Sequence, residues 1–252
     1  MDKTKIFAHR GASGYAPENT LEAFALAVSQ KADGIELDVQ LTRDGVPVVI
    51  HDETIDRVTS KTGDVKDYTL KELKKLTVME KRFPAYPSSK IPTLEEVLDA
   101  VKASGIWVNI ELKTGIYWYP EIEQKVAQIV QKCDMEQRVI YSSFNHYSIQ
   151  KIKQIVPEAE TAYLYSDVIW NVTDYAKNTK VDGIHPAVYH IKMADFLNEY
   201  IKSGLNVRVW TVNDTTDMKW LIEAGVTAVI TNYPDVAVKI REQRENQNHA
   251  GK

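Results

Sequence analysis

Residues 33–53 read DGIELDVQLTRDGVPVVIHDE, and this stretch decides the fold. Two runs of apolar and β-branched residues, 34–40 and 46–50, flank a short polar link that contains Asp44 and Gly45. A crossover between parallel strands needs about a dozen residues or more, so this link is too short for one. The stretch therefore predicts two antiparallel strands joined as a hairpin.

Strand-like runs alternate with helix-like segments along the rest of the chain. Once 46–50 is set aside as the return strand of the hairpin, eight βα units remain, which predicts an α/β fold: a (β/α)8 TIM-type barrel rather than an open doubly wound sheet. The glycine-rich G-x-G-x-x-G fingerprint of dinucleotide-binding sheets is absent. The eight remaining strand candidates are 5–8, 34–40, 106–112, 138–142, 161–165, 182–185, 206–212 and 227–230.

The helix-like segments carry start signals of the capping-box type, a Ser, Thr or Asn followed three residues later by Glu. Asn19 with Glu22, Thr69 with Glu72, and Thr93 with Glu96 fit this pattern. Further helices are predicted at 121–132, 146–155, 171–178, 193–203, 215–224 and 234–245.

Residues 52–92 interrupt the βα rhythm with one short helix, 70–76, and a proline-rich stretch. We expect them to form a small insertion at the barrel mouth. The predicted organisation is a barrel of residues 1–51 and 93–245, the insertion 52–92, and a polar tail, 246–252.

Composition bounds the class of protein. The 252 residues are 44% hydrophobic and 26% charged, which fits one large globular domain. A formal net charge of -4 argues against a nucleic-acid partner bound by bulk charge. The single cysteine, Cys133, allows no intrachain disulfide. No apolar run approaches the ~20 residues that span a bilayer, so we expect a soluble, cytoplasmic protein; nothing indicates its oligomeric state.

Two strands place carboxylates where apolar residues are usual. Side chains alternate faces along a strand, so Glu36 and Asp38 share one face of 34–40, and Glu111 and Lys113 share one face of 106–112. These would be neighbouring barrel strands, and the three carboxylates would converge. Either lysines and arginines neutralise them, or a divalent cation lies among them, since Mg²⁺ and Ca²⁺ prefer oxygen ligands.

Two histidines and two cations end strands at the same side of the predicted barrel. His9 follows the first strand, and His51 ends the hairpin's return strand. Barrel enzymes keep their sites at the carboxyl ends of the strands, and a pair of imidazoles can act as acid and base. Arg10 and Lys113 add positive charge that could bind a phosphate or simply balance the acids. The set suits an anionic phosphoester.

With these residues assembled, the chain resembles the glycerophosphodiester phosphodiesterase family. The resemblance implies a TIM-type barrel with a small insertion, and hydrolysis of small-molecule glycerophosphodiesters to glycerol 3-phosphate and an alcohol. The matching motifs come in the family's order along nearly the whole chain: HRG at 9–11, PENT at 17–20, ELDV at 36–39, T-x-DG at 42–45, PVVIHDE at 47–53, IELK at 110–113, SSFNH at 142–146 and VWTVND at 209–214.

The resemblance also implies roles for single residues. It assigns one divalent cation, Mg²⁺ or Ca²⁺ with Mn²⁺ also compatible, to Glu36, Asp38 and Glu111; the acid–base roles to His9 and His51; and the substrate phosphate to Arg10 and Lys113. One position departs from the pattern: the last strand ends ITNYPD, where many members have TDYPD, so Asn232 replaces an acid at the rim of the site.

Two further residues are candidates for the substrate pocket. Trp210 shares a strand face with Arg208 and either walls off the glycerol or is a core tryptophan. His146 either approaches the substrate or caps the next helix. Two rival functions remain: a lysophospholipase D-type phosphodiesterase on the same barrel, and a non-catalytic barrel that only binds phosphodiesters.

Overall fold

A closed barrel forms the centre of the protein, for which the computed structural model describes residues 3–79 and 82–250. The first and last strands, β1 and β9, pair with each other and β1 also pairs with β2, so eight parallel strands close into a ring and the predicted (β/α)8 barrel is confirmed. The described strands are β1 (Lys5–His9), β2 (Gly34–Leu41), β3 (Pro47–Val49), β4 (Trp107–Leu112), β5 (Val139–Ser143), β6 (Glu160–Tyr165), β7 (Gly183–Pro186), β8 (Asn206–Val209) and β9 (Ala228–Thr231).

The ninth strand, β3, is the predicted return strand, and it pairs antiparallel with β2. Val39 lies opposite Val49, which is the register that brings His51 back alongside Leu37. The amide of Gly45 donates to the Thr42 carbonyl at 2.9 Å to form the turn. The φ of Gly45 is +74°, a conformation that glycine adopts without steric cost.

Helices connect the strands and cover the outside of the barrel. The capping boxes predicted at Thr69 and Thr93 are confirmed, since each hydroxyl accepts from the amide three residues on and each Glu side chain reaches back. The described helices are α1 (Leu21–Ser29), α2 (Leu70–Leu73), α3 (Leu94–Val101), α4 (Ile122–Lys132), α5 (His146–Ile155), α6 (Val172–Asn178), α7 (Val188–Ile191), α8 (Phe196–Lys202), α9 (Thr215–Ala224) and α10 (Pro234–Ala250).

The predicted cap of the first helix is wrong by one residue. Thr20, not Asn19, is the N-cap of α1, and its side chain accepts from the amide of Ala23. Asn19 has a left-handed backbone, φ +56°, and its side-chain amide donates to Asp38 at 2.8 Å. The side chain of Asn19, which the local pattern assigned to the cap, therefore binds Asp38 of β2 instead.

Other element boundaries also differ from the prediction. The helix expected over 70–76 ends at Leu73, because the next amides turn to acceptors three residues back and tighten the chain. Only α8 lies within the helix expected over 193–203, α7 is an additional short helix before it, and the strand expected over 206–212 ends at Val209. The last helix continues past 245 to Ala250, since 245–250 contains neither Gly nor Pro. Residues 251–252 of the predicted tail lie outside the described residues.

The segment 52–92 packs around a separate apolar cluster that it shares with Val48 and Ile50 of the hairpin's return strand. A bridge pairs Thr54 with Asp64, and α2 lies between this bridge and the return to the barrel. The division into a barrel and an insertion stays a prediction, which this separate cluster supports. Its buried members are Val48, Ile50, Ile55, Val58, Val65, Leu73, Val78 and Ile91.

The two faces of the barrel strands pack against different apolar clusters. On β2 the side chains of Ile35, Leu37 and Val39 are buried in the main core. Inside the barrel, Phe7 and Ile140 belong to a small separate cluster. The inward faces therefore remain available for polar groups towards the carboxyl ends of the strands. Among the described residues, no helix combines the length and apolar character needed to cross a bilayer.

Candidate active site

Three carboxylates of β2 and β4 meet at the carboxyl end of the barrel. The parallel register sets Asp38 opposite Glu111, and Glu36 precedes Asp38 by two residues on the same face. All three side chains are buried, and one oxygen from each lies within 4.8 Å of the others. The structure therefore brings together the acids that strand alternation pointed to.

The burial of these acids perturbs their protonation. Burial, reinforced by the charges of Asp38 and Glu111, raises the pKa of Glu36 well above its usual value. Burial and the charge of Asp38 raise the pKa of Glu111 to about 7. Burial alone would raise the pKa of Asp38 too, but Arg10, His51 and Lys113 lower it to about 2. Glu36 and Glu111 therefore favour added positive charge, whereas the neighbouring cations already compensate the charge of Asp38.

Arg10 and Lys113 flank the acids from two sides. The backbone amide of Arg10, which has a φ of +56°, donates to Glu36 at 3.0 Å, and its Nε lies 3.5 Å from Asp38. Lys113 Nζ lies 3.1 Å from a Glu111 oxygen and 4.0 Å from an Asp38 oxygen. Both cations balance the acids, and their contact with a substrate phosphate stays a prediction.

His9 lies beside Glu36, and a hydrogen bond on the side of the ring away from Glu36 orients it. Its Nδ1 lies 2.8 Å from the side-chain oxygen of Asn232. Since an amide oxygen only accepts, Nδ1 carries the proton and Nε2, 4.0 Å from Glu36, has the free lone pair. Burial, and next the charge of Arg10, lower the pKa of His9 to about 4. Asn232, noted as a departure from the family pattern, thus contacts the candidate catalytic ring directly.

His51 faces the same acids from the hairpin side. Its Nδ1 donates to the Asp52 carboxylate at 2.6 Å, because a carboxylate offers only acceptors. Its Nε2 lies 3.4 Å from Lys113 Nζ, and Lys113 in turn contacts Glu111. Both histidines therefore turn Nε2 towards the acid cluster.

The donor set fits a hard divalent cation. Oxygen is the ligand that Mg²⁺ and Ca²⁺ prefer, and Asp38 Oδ1 is buried with no hydrogen-bond partner. With all three carboxylates ionised, as metal ligands are, and with the cations Arg10 and Lys113, these five groups carry one net negative charge. A divalent cation would reverse that to one net positive charge, which suits an anionic diester. The raised pKa values of Glu36 and Glu111 also indicate that the site favours an added positive charge.

Two polar residues support the site without having been singled out by the sequence. Asn19 donates to Asp38, as described above. Gln40 is fully buried on the acidic face of β2. Its Nε2 donates to the backbone carbonyls of Ile50, His51 and Asp52, at 2.6–3.1 Å. The strand alternation that found Glu36 and Asp38 also places Gln40 on their face. Asn19 lies in the matching PENT motif, 17–20, but the motif was given no role in the site.

Trp210 lies at the mouth of the barrel. Its indole donates to the His185 carbonyl at 2.7 Å, and Phe144 packs against it edge-on at 5.5 Å between ring centroids. Trp210 is partly buried against the cluster inside the barrel. Its contact with a substrate stays a prediction.

Of the two roles predicted for His146, the structure contradicts the capping one. Asn145, not His146, is the N-cap of α5. The His146 ring stacks on Tyr163 at 3.9 Å, and its nitrogens lie 3.2 Å from the Tyr175 hydroxyl and 3.1 Å from the Leu164 carbonyl. Both nitrogens therefore have partners, and contact of His146 with a substrate stays a prediction.

Comparisons with known sequences agree with this geometry. The model of the glycerophosphoryl diester phosphodiesterase family matches residues 9–236. A glycerophosphodiester phosphodiesterase of Caldanaerobacter subterraneus subsp. tengcongensis is 42% identical over 94% of this chain and 98% of its own. One from Bacillus altitudinis is 44% identical, with 95% and 99% covered.

Solved structures show the same architecture. A phosphodiesterase of Oleispira antarctica, in complex with the product sn-glycerol-3-phosphate, superposes with a TM-score of 0.88 at 28% identity, covering 95% of this chain and 97% of that one. A glycerophosphodiester phosphodiesterase of Agrobacterium tumefaciens gives a TM-score of 0.79 at 30% identity, with 94% and 99% covered.

Proposed function

The chain belongs to the glycerophosphoryl diester phosphodiesterase family of hydrolases, and from that membership we propose how its own residues cleave a glycerophosphodiester. The reaction is hydrolysis of the diester to glycerol 3-phosphate and an alcohol. The observation that carries the proposal is the convergence of three buried carboxylates with the Nε2 atoms of His9 and His51.

Glu36, Asp38 and Glu111 would hold one divalent cation, Mg²⁺ or Ca²⁺, with Mn²⁺ also compatible. When bound, such an ion supplies Lewis-acid stabilisation of the negative charge that develops on the phosphate. Arg10 and Lys113 then orient the phosphate. Arginine's planar fork suits two phosphate oxygens, whereas the ammonium of lysine acts as a point charge.

The two histidines move the protons. Asn232 and Asp52 hold the Nδ1 protons, so each ring presents Nε2 to the substrate's side. One Nε2 accepts the proton of the attacking oxygen. If water attacks, glycerol 3-phosphate forms directly; if the glycerol hydroxyl of the substrate attacks, a cyclic phosphate forms and water then opens it to glycerol 3-phosphate. The other, protonated, gives its proton to the departing alkoxide. Each such role contributes about 10²–10⁴ in rate.

A coupled assay of glycerol 3-phosphate release across several headgroups, beginning with glycerophosphocholine, tests this function. We expect turnover by the metal-supplemented wild-type chain, and a loss of about 10²–10⁴ in kcat for His9→Ala and for His51→Ala. Circular dichroism confirms that each variant is folded. Near-wild-type turnover by either variant would remove that histidine from the mechanism.

One observation favours lysophospholipase D-type action as a second candidate. The loops and first helical turns that follow β4 to β7, at the site's end of the barrel, carry large exposed apolar side chains, of which Trp170 is 88% and Tyr147 76% exposed. Such side chains could contact the acyl chain of a single-chain lipid. Turnover of lysophosphatidylcholine that falls in Trp170→Ser, while glycerophosphocholine turnover stays unchanged, would support it. Activity confined to water-soluble diesters would refute it.

A further inference from the structure

The main chain around His51 is fixed by strand contacts. The amide of Ile50 donates to the Asp38 carbonyl at 3.0 Å, and Gln40 Nε2 lies 3.0 Å from the His51 carbonyl and 2.6 Å from that of Asp52. These bonds hold the backbone of the hairpin's end against β2. None of these bonds involves the side chain of His51.

The ring of His51 depends on a single carboxylate for its orientation. Asp52 Oδ1 lies 2.6 Å from Nδ1, while the contact of Nε2 with Lys113 is long at 3.4 Å. The Asp52 side chain is 29% exposed. A carboxylate with that much access to water has other rotamers open to it, so something must hold it.

Arg57, from the segment 52–92, holds Asp52 in a bidentate pair. Its Nε lies 2.7 Å from one Asp52 oxygen and its Nη2 3.0 Å from the other. Although burial on its own would raise the pKa of Asp52, the hydrogen bonds from Arg57 and His51 lower it to about 2. Asp52 is therefore ionised as the acceptor of the imidazole proton.

The same guanidinium holds a second carboxylate. Its Nη1 and Nη2 donate to the two oxygens of Glu18 at 3.0 and 2.7 Å. Glu18 in turn accepts from Arg10 Nη1 at 3.0 Å. Arg57 thus contacts both the partner of His51 and the partner of Arg10, although it touches neither of those residues nor the acid cluster in these bonds.

We propose that Arg57 is a positioning residue that fixes Asp52 and Glu18, and through them the His51 ring and the Arg10 guanidinium. The inference rests on the proposed function, in which His51 moves a proton and Arg10 orients the phosphate. The planar fork of arginine is required, because lysine cannot bind two carboxylates in bidentate fashion.

The chain offers a matched control in Arg43. It also ties the hairpin to the segment 52–92, donating to the Asp67 carbonyl at 2.6 Å and to Glu72 at 3.1 Å. Its side chain is 56% exposed, against 45% for Arg57. Arg43 contacts neither Asp52 nor Glu18 in these bonds, so Arg43→Met reports what loss of a surface arginine does to the segment alone.

Two readouts test the proposal: kinetics with glycerophosphocholine, and the downfield proton resonance of His51 Nδ1–H, assigned with His51→Gln. In Arg57→Met we expect kcat/KM to fall about 10–100-fold, as for other residues that orient a site's first contacts, and the resonance to be lost. KM rises through Arg10 and kcat falls through His51. The melting temperature should match that of Arg43→Met, which keeps wild-type kinetics and the resonance.

Arg57→Lys keeps the charge but not the fork, and it decides the question if Arg57→Met does not fold. We expect intermediate kinetics and a broadened resonance. Wild-type kinetics and an intact resonance in Arg57→Lys, or Arg57→Met behaving like Arg43→Met, would overturn the proposal. If wild type does not turn over glycerophosphodiesters, the proposed function fails, and the resonance alone still decides whether Arg57 positions His51.

Discussion

At the scale of single residues, the two candidate catalytic rings share one geometry but have different partners. His9 donates its Nδ1 proton to the amide oxygen of Asn232, and His51 donates to the carboxylate of Asp52. Each bond selects the tautomer that leaves Nε2 facing the acids. The partners therefore matter to catalysis although they do not contact the substrate's reacting atoms in the proposed mechanism.

Asn232→Ala tests this for His9. Without the amide acceptor, the His9 ring can adopt the other tautomer and rotate, so we expect kcat to fall at least about tenfold, a part of the 10²–10⁴ that acid–base catalysis contributes. Asn232→Asp retains an acceptor oxygen and should keep most of the activity. Steady-state kinetics of glycerol 3-phosphate release measures both. Equal activity in Asn232→Ala and wild type would show that Asn232 does not orient His9.

Asn19 has a corresponding role for a carboxylate of the acid cluster. Asn19→Gly keeps a left-handed backbone at low cost but removes the hydrogen bond to Asp38, so we expect the affinity for Mg²⁺ or Ca²⁺ to fall about 10–100-fold. Isothermal titration calorimetry of the metal-depleted protein, with the chelator removed, measures this affinity. Asn171→Gly, at another left-handed Asn, is the control and should leave the affinity unchanged. The same affinity in both variants would contradict this role of Asn19.

At the scale of elements, β2 holds the site together. Its inward face carries Glu36 and Asp38, and next to them Gln40, which binds the backbone on both sides of His51 and accepts from the Tyr119 hydroxyl at 2.9 Å. One strand thus supplies two candidate metal ligands and fixes the hairpin end that carries a candidate catalytic residue.

Gln40→Met is therefore expected to be costly. It leaves buried carbonyls and the Tyr119 hydroxyl without partners, and we expect a loss of about 2–4 kcal/mol in the free energy of unfolding. Tyr119→Phe removes only one of these bonds and should cost about 1 kcal/mol. Urea unfolding followed by fluorescence gives both values. If the two variants lose the same stability, Gln40 does not clamp the hairpin end.

The elements were largely predictable because their signals are local. Period-two alternation and apolar runs located the strands, and the short link with Asp44 and Gly45 required the hairpin. The cap at Thr20 could not be chosen over Asn19 by local pattern, because both residue types cap helices and the choice depends on a bond from Asn19 to a strand 19 residues away. Helix ends were the least predictable, since they depend on tertiary contacts.

Part of the candidate site could also be predicted from the sequence, and part could not. The acids followed from alternation and the order of strands, and the histidines from the ends of strands. The contacts of Arg57 with Asp52, and of Asn232 with His9, could be seen only in the structure. No period or spacing connects residue 57 to residue 18, or residue 232 to residue 9.

At the scale of the whole molecule, the acid cluster should make stability depend on pH when no metal is present. The pKa of Glu111 is raised from 4.5 to about 7 in the folded chain. Between these values the folded state binds more protons than the unfolded one, so stability falls as pH rises from about 4.5 to 7. The loss from Glu111 alone is on the order of 3 kcal/mol, and Glu36 adds to it.

Urea unfolding of the chelated protein at several pH values checks this. We expect wild type to lose stability across that window, and Mg²⁺ or Ca²⁺ to restore it at the upper end, since a bound cation favours the ionised acids. Glu111→Gln, which has no proton to lose, should show a smaller decline. A decline as steep in Glu111→Gln as in wild type would contradict the assignment.

The central claim is that turnover needs one divalent cation at Glu36, Asp38 and Glu111. Its most direct test is glycerol 3-phosphate release from glycerophosphocholine by exhaustively chelated protein, before and after one equivalent of Mg²⁺ or Ca²⁺ per chain is added back. We predict no turnover before the addition, recovery after it, and no recovery in Glu111→Gln. Full activity of the chelated wild-type protein would contradict the claim.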